Sequence, residues 1–130
     1  MTMALQTLGQ ERARHAWEEV ERALRAGGDF NKDFADQAKK MPMRIRTAGL
    51  AHTLAYLRAK DQGRQVREAL ENWINRQRPP AQGQPKALVE RCIREDSAFL
   101  RWATAEALAY LEWLTRFADA RKKQEAKTES

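Results

Sequence analysis

Apolar side chains recur along this chain at spacings of three and four, and no stretch longer than a few residues alternates in the two-residue rhythm of a strand. That period predicts helices. Leu5, Leu8, Ala13, Ala16, Trp17, Val20, Ala23 and Leu24 outline the first helix. Thr7 with Gln10 is a candidate capping box at its start, and Gly27-Gly28 ends it. A short second helix is expected over about 31–41, with Phe34 and Ala38 inward. It should stop before Pro42, because the residue preceding a proline avoids the α region. Pro42 suits the first turn of a third helix reaching about Lys60. Gly63 marks a bend, and Val66, Leu70, Trp73 and Ile74 share one side of a fourth helix. Arg78 to Pro85 holds three prolines and a glycine and reads as a loop. A fifth helix covers about 86–94, and Asp96 or Ser97 caps a sixth that runs from about 97 into the C-terminal residues.

Two of these helices are apolar on more than one side. A third helix continuous from Pro42 puts Met43, Leu50, Leu54 and Leu57 on one face and Ile45, Gly49, His52 and Tyr56 on the opposite one, so it is expected to be packed on both. Gly49 and Ala48 would permit close approach of a neighbour. The sixth helix carries Phe99, Trp102, Ala103, Ala107, Leu108, Tyr110, Leu111, Trp113, Leu114 and Phe117 nearly all round. It is either the central core helix or a surface that meets another protein, and core is the better reading. Trp17, Trp73, Trp102 and Trp113 each sit at helical spacing on an apolar face, and all four are assigned to the core rather than to base stacking.

The chain has 130 residues, 42% of them hydrophobic. That suffices for one domain with a single core. With six Gly, four Pro and few β-branched residues, the fold class is all-α. A compact single-domain bundle of about six helices over residues 1–120 is expected, with a polar, disordered tail over 121–130. No apolar run approaches the roughly 20 residues of a membrane span. The start, Met-Thr-Met-Ala-Leu-Gln, shows no secretion signal, and a single cysteine, Cys92, suits a reducing cytoplasm.

Enzyme chemistry finds little support. There is no glycine-rich phosphate loop. His15, His52 and Cys92 make a poor metal set, and no cofactor is implied. A Cys92–His52 nucleophile pair is the remote alternative to Cys92 as a small core hydrophobe. Glu106, in the most apolar helix, is expected to pair with an Arg or Lys inside the fold, rather than with Glu112 as an acid pair.

The charge is uneven. The chain carries 24 Lys+Arg against 18 Asp+Glu, yet no acid lies between Asp36 and Asp61. Lys39, Lys40, Arg44, Arg46, Arg58 and Lys60 fall in that window and account for the whole net charge of +6. A fixed cationic segment points to an anionic partner, nucleic acid first. On the helix boundaries above, Lys39, Lys40, Arg58 and Lys60 stand at helix C-termini, where the dipole welcomes them. Arg44 and Arg46 would stand at a helix N-terminus, where it does not, and a phosphate there would relieve the conflict. The ends of such a helix lie roughly 24 Å apart, which gives two cationic clusters rather than a stripe. Arg64 and Arg67 extend the second.

Two stretches resemble a known family. One is Lys39-Lys40-Met41-Pro42-Met43-Arg44-Ile45, followed by Gly49-Leu50-Ala51-His52-Thr53-Leu54-Ala55-Tyr56-Leu57 and Lys60. The other is Trp102-Ala103-Thr104-Ala105-Glu106-Ala107-Leu108, then Leu111, Trp113 and Arg116-Phe117-Ala118, with a weaker match at Gln10-Glu11-Arg12-Ala13. Together they resemble the small α-helical subunit of the type III-B (Cmr-type) CRISPR RNA-guided effector complex. The resemblance implies an all-α bundle without enzymatic activity. It implies several copies lined up beside the backbone subunit that holds guide RNA, helping to form the channel in which target RNA pairs. By position it carries Lys39, Lys40, Arg44, Lys60 and Arg116 into an RNA-binding set; Arg46, Arg64 and Arg67 join it on charge alone. The competing expectation is a helical protein–protein scaffold with no direct RNA contact.

Overall fold

The computed structural model describes residues 5–129, the last of these, from 124 onward, by backbone alone. Residues 1–4, part of the start read for a secretion signal, and Ser130 lie outside the described residues. The chain is a single all-α domain. Its elements are α1 (Leu8–Arg25), a π-helical turn (Asn31–Ala35) that runs directly into α2 (Asp36–Ala48), α3 (Leu50–Ala59), α4 (Arg64–Gln77), α5 (Leu88–Arg94) and α6 (Ser97–Glu129). No strand occurs among the described residues. No helix among them is long and apolar enough to cross a membrane.

The expected capping box forms. Thr7 Oγ1 accepts from the Gln10 amide at 3.1 Å, while the Gln10 side chain accepts from the Thr7 amide at 2.8 Å. Two of the four orphan donors at the start of α1 are thereby satisfied. Asp96 caps α6, its carboxylate accepting from the Phe99 amide at 2.9 Å.

α6 is the axis of the bundle. It buries Phe99, Ala103, Ala107, Tyr110, Leu111, Leu114 and Ala118 against all the other helices, with α1 and α2 its most extensive neighbours. The α4 stripe of Val66, Leu70, Trp73 and Ile74 is buried as its period required. Trp73 stacks on Tyr110 with ring centroids 5.6 Å apart. Glu106 finds its internal cation in Arg12, whose Nε and Nη2 donate to its two oxygens at 2.6 and 3.1 Å. Helix continues past Arg121, where the polar tail was expected to begin. Arg121 reaches back to Glu21 on α1, and Lys122 Nζ lies 3.3 Å from Asp36 on α2.

The path between residues 36 and 60 differs from expectation. The second helix does not stop at Pro42; it passes through the proline and ends at Ala48. A proline inside a helix leaves the carbonyl four residues earlier without its donor. Here that carbonyl belongs to Ala38, and the Thr115 hydroxyl of α6 donates to it at 3.2 Å. The acceptor is satisfied across the bundle instead of along the helix. The real break is Gly49, at φ 91° and ψ 159°, a region essentially restricted to glycine. It re-phases the chain, so Met43 and the Leu50–Leu54–Leu57 row no longer share a face. Met43 is 67% exposed, while Met41 and Ile45 are buried.

A Cβ at Gly49 would meet nothing within 4 Å, so its substitution isolates backbone strain from packing. Gly49→Ala is expected to destabilise the fold by about 1–3 kcal/mol in urea unfolding, with an unchanged m value. A loss near zero would mean that the 48–50 junction is not held in this conformation.

The four tryptophans divide. Trp73 is in the core and Trp102 is half-buried, but Trp17 is 43% and Trp113 37% exposed, against expectation. Both pack on Phe117, with ring centroids 5.3 and 5.7 Å away, along an exposed margin of α1 and α6. The all-round apolar pattern of α6 therefore reflects a core face and also an exposed aromatic cluster.

Candidate nucleic-acid interface

α2 is the element that organises the cations. At 3.6 residues per turn, Lys39, Lys40, Met43, Arg46 and Thr47 fall within about 120° of one another, opposite the buried Ala38, Met41 and Ile45. All five are exposed. Arg44 stands at the margin of that face, half-buried. Its Nη1 donates to Gln37 Oε1 at 3.1 Å, and its guanidinium lies 5.9 Å from the Tyr56 ring centroid on α3. Among the described residues, none of Lys39, Lys40, Arg44 and Arg46 has a carboxylate within 4.0 Å. These four cations span about 10 Å of a single helix.

This placement corrects the electrostatic expectation. Arg46 lies in the last turn of α2 and Arg44 just before it, not in the first turn of a helix beginning at Pro42. The dipole therefore favours Arg46 where it stands, and Lys39 and Lys40 are mid-helix. The helix N-terminus gives no reason for a phosphate at Arg44. What distinguishes the face is a cluster of exposed cations none of which has a carboxylate within 4.0 Å among the described residues, although Asp36 stands one turn before Lys39 and Lys40 on the same helix. The separation of roughly 24 Å also lapses, since no helix joins Pro42 to Lys60.

The other candidates separate into two environments. Arg116 on α6 joins the α2 face: with Lys39, Thr115 and Lys122 it lines a hollow of about 190 Å³ between α2 and α6, although Asp36 and Asp119 line it too. Lys60, Arg64 and Arg67 lie at the α3–α4 junction, on other elements than the α2 cations, where Gly63 packs on Gln37 of α2. There Arg64 Nε meets Glu68 at 3.1 Å. Arg67 is folded inward, donating to the Gln62 carbonyl at 3.0 Å, with Asp61 4.0 Å away. Lys60 is exposed. Each arginine of this second group therefore has an exposed acid beside it, unlike the four cations of α2.

Tyr56 and Met43 stand exposed beside these cations, which their apolar spacing did not predict. Tyr56 was expected to be packed on a second helix face with His52; instead both are exposed, because Gly49 ends the helix on which that face was drawn. The usable signal was Gly49 itself, which interrupts a helical pattern.

Cys92, His15 and Arg91, the other chemistry-bearing groups, are buried. Burial pushes the Cys92 thiol up to about 11, and no hydrogen bond joins it to the exposed His52 among the described residues. His15 is buried with its Nδ1 2.7 Å from the Tyr110 hydroxyl and its Nε2 4.0 Å from Glu19. Arg91, also buried, was not anticipated. It holds Glu95 at 2.5 Å, Asn75 Oδ1 at 2.8 Å and the Arg78 carbonyl at 2.6 Å, which anchors the proline loop to α5. No group of three or more His, Cys, Asp or Glu residues that could hold a metal occurs among the described residues.

Residues 8–121 match the family described as CRISPR-associated protein (Cas_Cmr5). A relative from Thermus thermophilus, named CRISPR system Cmr subunit Cmr5, is 32% identical over 124 residues, which cover 89% of this chain and 96% of the relative. The crystal structure of a CRISPR-associated Cmr5 family protein from the same organism superposes with a TM-score of 0.72 at 28% identity, covering 88% of this chain and 97% of that one. A match across nearly the whole bundle, joined to the same architecture, places the chain in the Cas_Cmr5 family of CRISPR-associated proteins.

Proposed function

We propose that this chain is a non-catalytic structural subunit of a Cmr-type CRISPR RNA-guided effector complex in the cytoplasm, and that the solvent face of α2 touches the RNA held in that complex. The observation that carries the RNA contact is the face of Lys39, Lys40, Arg44 and Arg46, none of them with a carboxylate within 4.0 Å among the described residues, which Arg116 extends past Asp36 and Asp119. Family membership and the relative's name support the complex as the setting. About four phosphate contacts to a single strand give a salt slope near −2.8, too weak for one copy to act alone at physiological salt. Several copies in a row, packed against backbone subunits, would turn such a contact into useful affinity. Sequence would be read by base pairing between guide and target, while this protein reads the sugar–phosphate backbone.

Neutralising two exposed cations tests this. In the assembled complex, Lys40→Gln/Arg46→Gln is expected to leave subunit incorporation intact and to weaken target RNA binding. Each lost contact should make the salt slope shallower by about 0.7 per copy. Normal incorporation with an unchanged slope would remove the RNA contact. The exposed Trp17–Phe117–Trp113 cluster favours a second reading, a scaffold that meets only proteins. Under it, the double variant changes neither property, and Trp113→Gln blocks incorporation.

A further inference from the structure

Between α2 and α3 lies a surface hollow of about 340 Å³ with Met43, Arg44, Ala48, His52, Thr53 and Tyr56 in its lining. We infer that it seats one nucleobase of a single-stranded RNA whose phosphates run along the α2 face. The inference rests on the RNA-contacting reading above and gives it a specific site.

Four observations converge there. The volume is at the lower end of the range for small-molecule sites. Two large side chains stand exposed on the lining, Met43 at 67% and Tyr56 at 46%, where a flat aromatic ligand could lie against a thioether and a phenol ring. The Arg44 guanidinium sits beside that phenol ring and could neutralise an adjoining phosphate. Thr53, only 2% exposed, carries a buried hydroxyl for which the protein supplies no partner. An unmet buried hydroxyl is costly in the empty protein, and because a hydroxyl can both donate and accept, a small turn of the Thr53 side chain toward the hollow it lines would let it meet the polar edge of a base.

The hollow also differs from its neighbours in charge. Three other surface hollows include carboxylates in their lining: Asp61, Glu68 and Glu71 in one, Asp33 and Asp61 in a second, Asp36 and Asp119 in a third. The α2–α3 hollow has none. At its edge α3 begins without a side-chain cap and without an acid in its first turn, which leaves amide donors for an oxyanion. An apolar floor, a ring, a cation and no acid together fit a nucleotide unit.

The test uses the full-length chain at low salt and two probes of equal charge: a uridine tetranucleotide and its abasic ribose-phosphate counterpart. The RNA should shift the methyl NMR signals of Met43 and Thr53. The abasic oligomer should bind about tenfold more weakly. Tyr56→Leu should lower RNA affinity by a similar factor and leave abasic binding unchanged. Thr53→Val, nearly isosteric, should also weaken RNA binding while raising Tm, since it removes an unpartnered hydroxyl; a merely structural Thr53 would not link those two changes. Equal binding of the two probes, unaltered by either substitution, overturns the base seat and leaves the phosphate contact standing. Failure of both probes to bind with any salt dependence overturns the RNA-contacting reading and the base seat with it. Movement of the Met43 and Thr53 signals on adding purified backbone subunits, and none on adding RNA, would assign the hollow to a protein side chain and overturn the inference too.

Discussion

Arg12→Met is expected to cost about 3–5 kcal/mol, a large fraction of the stability of a bundle this small. The reason is the group left behind. Glu106 projects from α6 into the interface with α1 and is 4% exposed, and Arg12 gives it a two-pronged hydrogen-bonded contact at 2.6 and 3.1 Å. Removing the arginine strands a carboxylate that is 4% exposed, flanked along α6 by the buried Ala103, Ala107 and Tyr110, with both of its donors gone. Urea unfolding of the variant should show the loss as a lower midpoint. The double change Arg12→Met/Glu106→Leu should recover most of it, because exchanging a buried pair for apolar side chains is often neutral. Should the single variant lose less than about 1 kcal/mol, the pair is solvated and contributes little to holding α1 on α6.

The second large effect is a loss of stability in acid that traces to His15. Burial, with further contributions from Arg76 and Arg22 against an opposing one from Glu18, lowers its pKa from 6.5 to about 4. The nearness of Glu19 to Nε2 favours the proton on that nitrogen, so that Nδ1 accepts from the Tyr110 hydroxyl. A group whose folded pKa is depressed stabilises the fold fully above its unfolded value, and the contribution is lost as the pH falls through the folded one. The window here runs from about pH 6.5 down to about 4, and the gap corresponds to on the order of 3 kcal/mol. Glu19 acts in the opposite sense. Burial raises its pKa, so its protonation on acidification returns part of what His15 loses. The net slope of unfolding free energy against pH should therefore be positive between about 4.5 and 6.5, and shallower than one full proton gives. His15→Gln should flatten it. A wild-type slope identical to that of the variant would show that His15 titrates alike in the folded and unfolded chain.

Much of the fold was legible because it depends on neighbours in sequence. The α4 stripe, the Thr7–Gln10 box and the Asp96 cap are matters of three- and four-residue spacing, and the structure repeats them. Glu106 was readable by exclusion, since a carboxylate in an apolar helix must find a cation, though nothing in the sequence pointed to Arg12. The failures are non-local. Pro42 has a local rule that says stop, and a hydroxyl at Thr115, far along the chain, overrides it. Once that boundary moved, every face drawn from it moved as well. Met43 and Tyr56 turned outward, Ile45 kept its place in the core, and the arginines passed from the head of one helix to the tail of another. Trp17 and Trp113 show the limit of hydrophobicity as a guide, because a helix at the rim of a bundle can present apolar rings that nothing covers.

The cationic window was visible in the sequence as a run without acids, and that feature survived the change of boundaries. Its shape did not. Four of the eight candidate cations share one helix, Arg116 approaches them from α6, and Lys60, Arg64 and Arg67 belong to a junction where Asp61 and Glu68 already answer the arginines. Only packing could sort them, because charge in sequence does not say which acids lie within reach in space.

The bond from Thr115 to the Ala38 carbonyl has a mechanical side. α2 cannot roll or slide along the bundle without leaving that carbonyl bare, and the Lys122–Asp36 contact clamps the same two helices about two turns further along α6. The charged face is thereby geared to the central shaft of the molecule. Any neighbouring protein that grips α6 therefore also sets the angle of that face, and a pull on the face would be felt in turn at the grip.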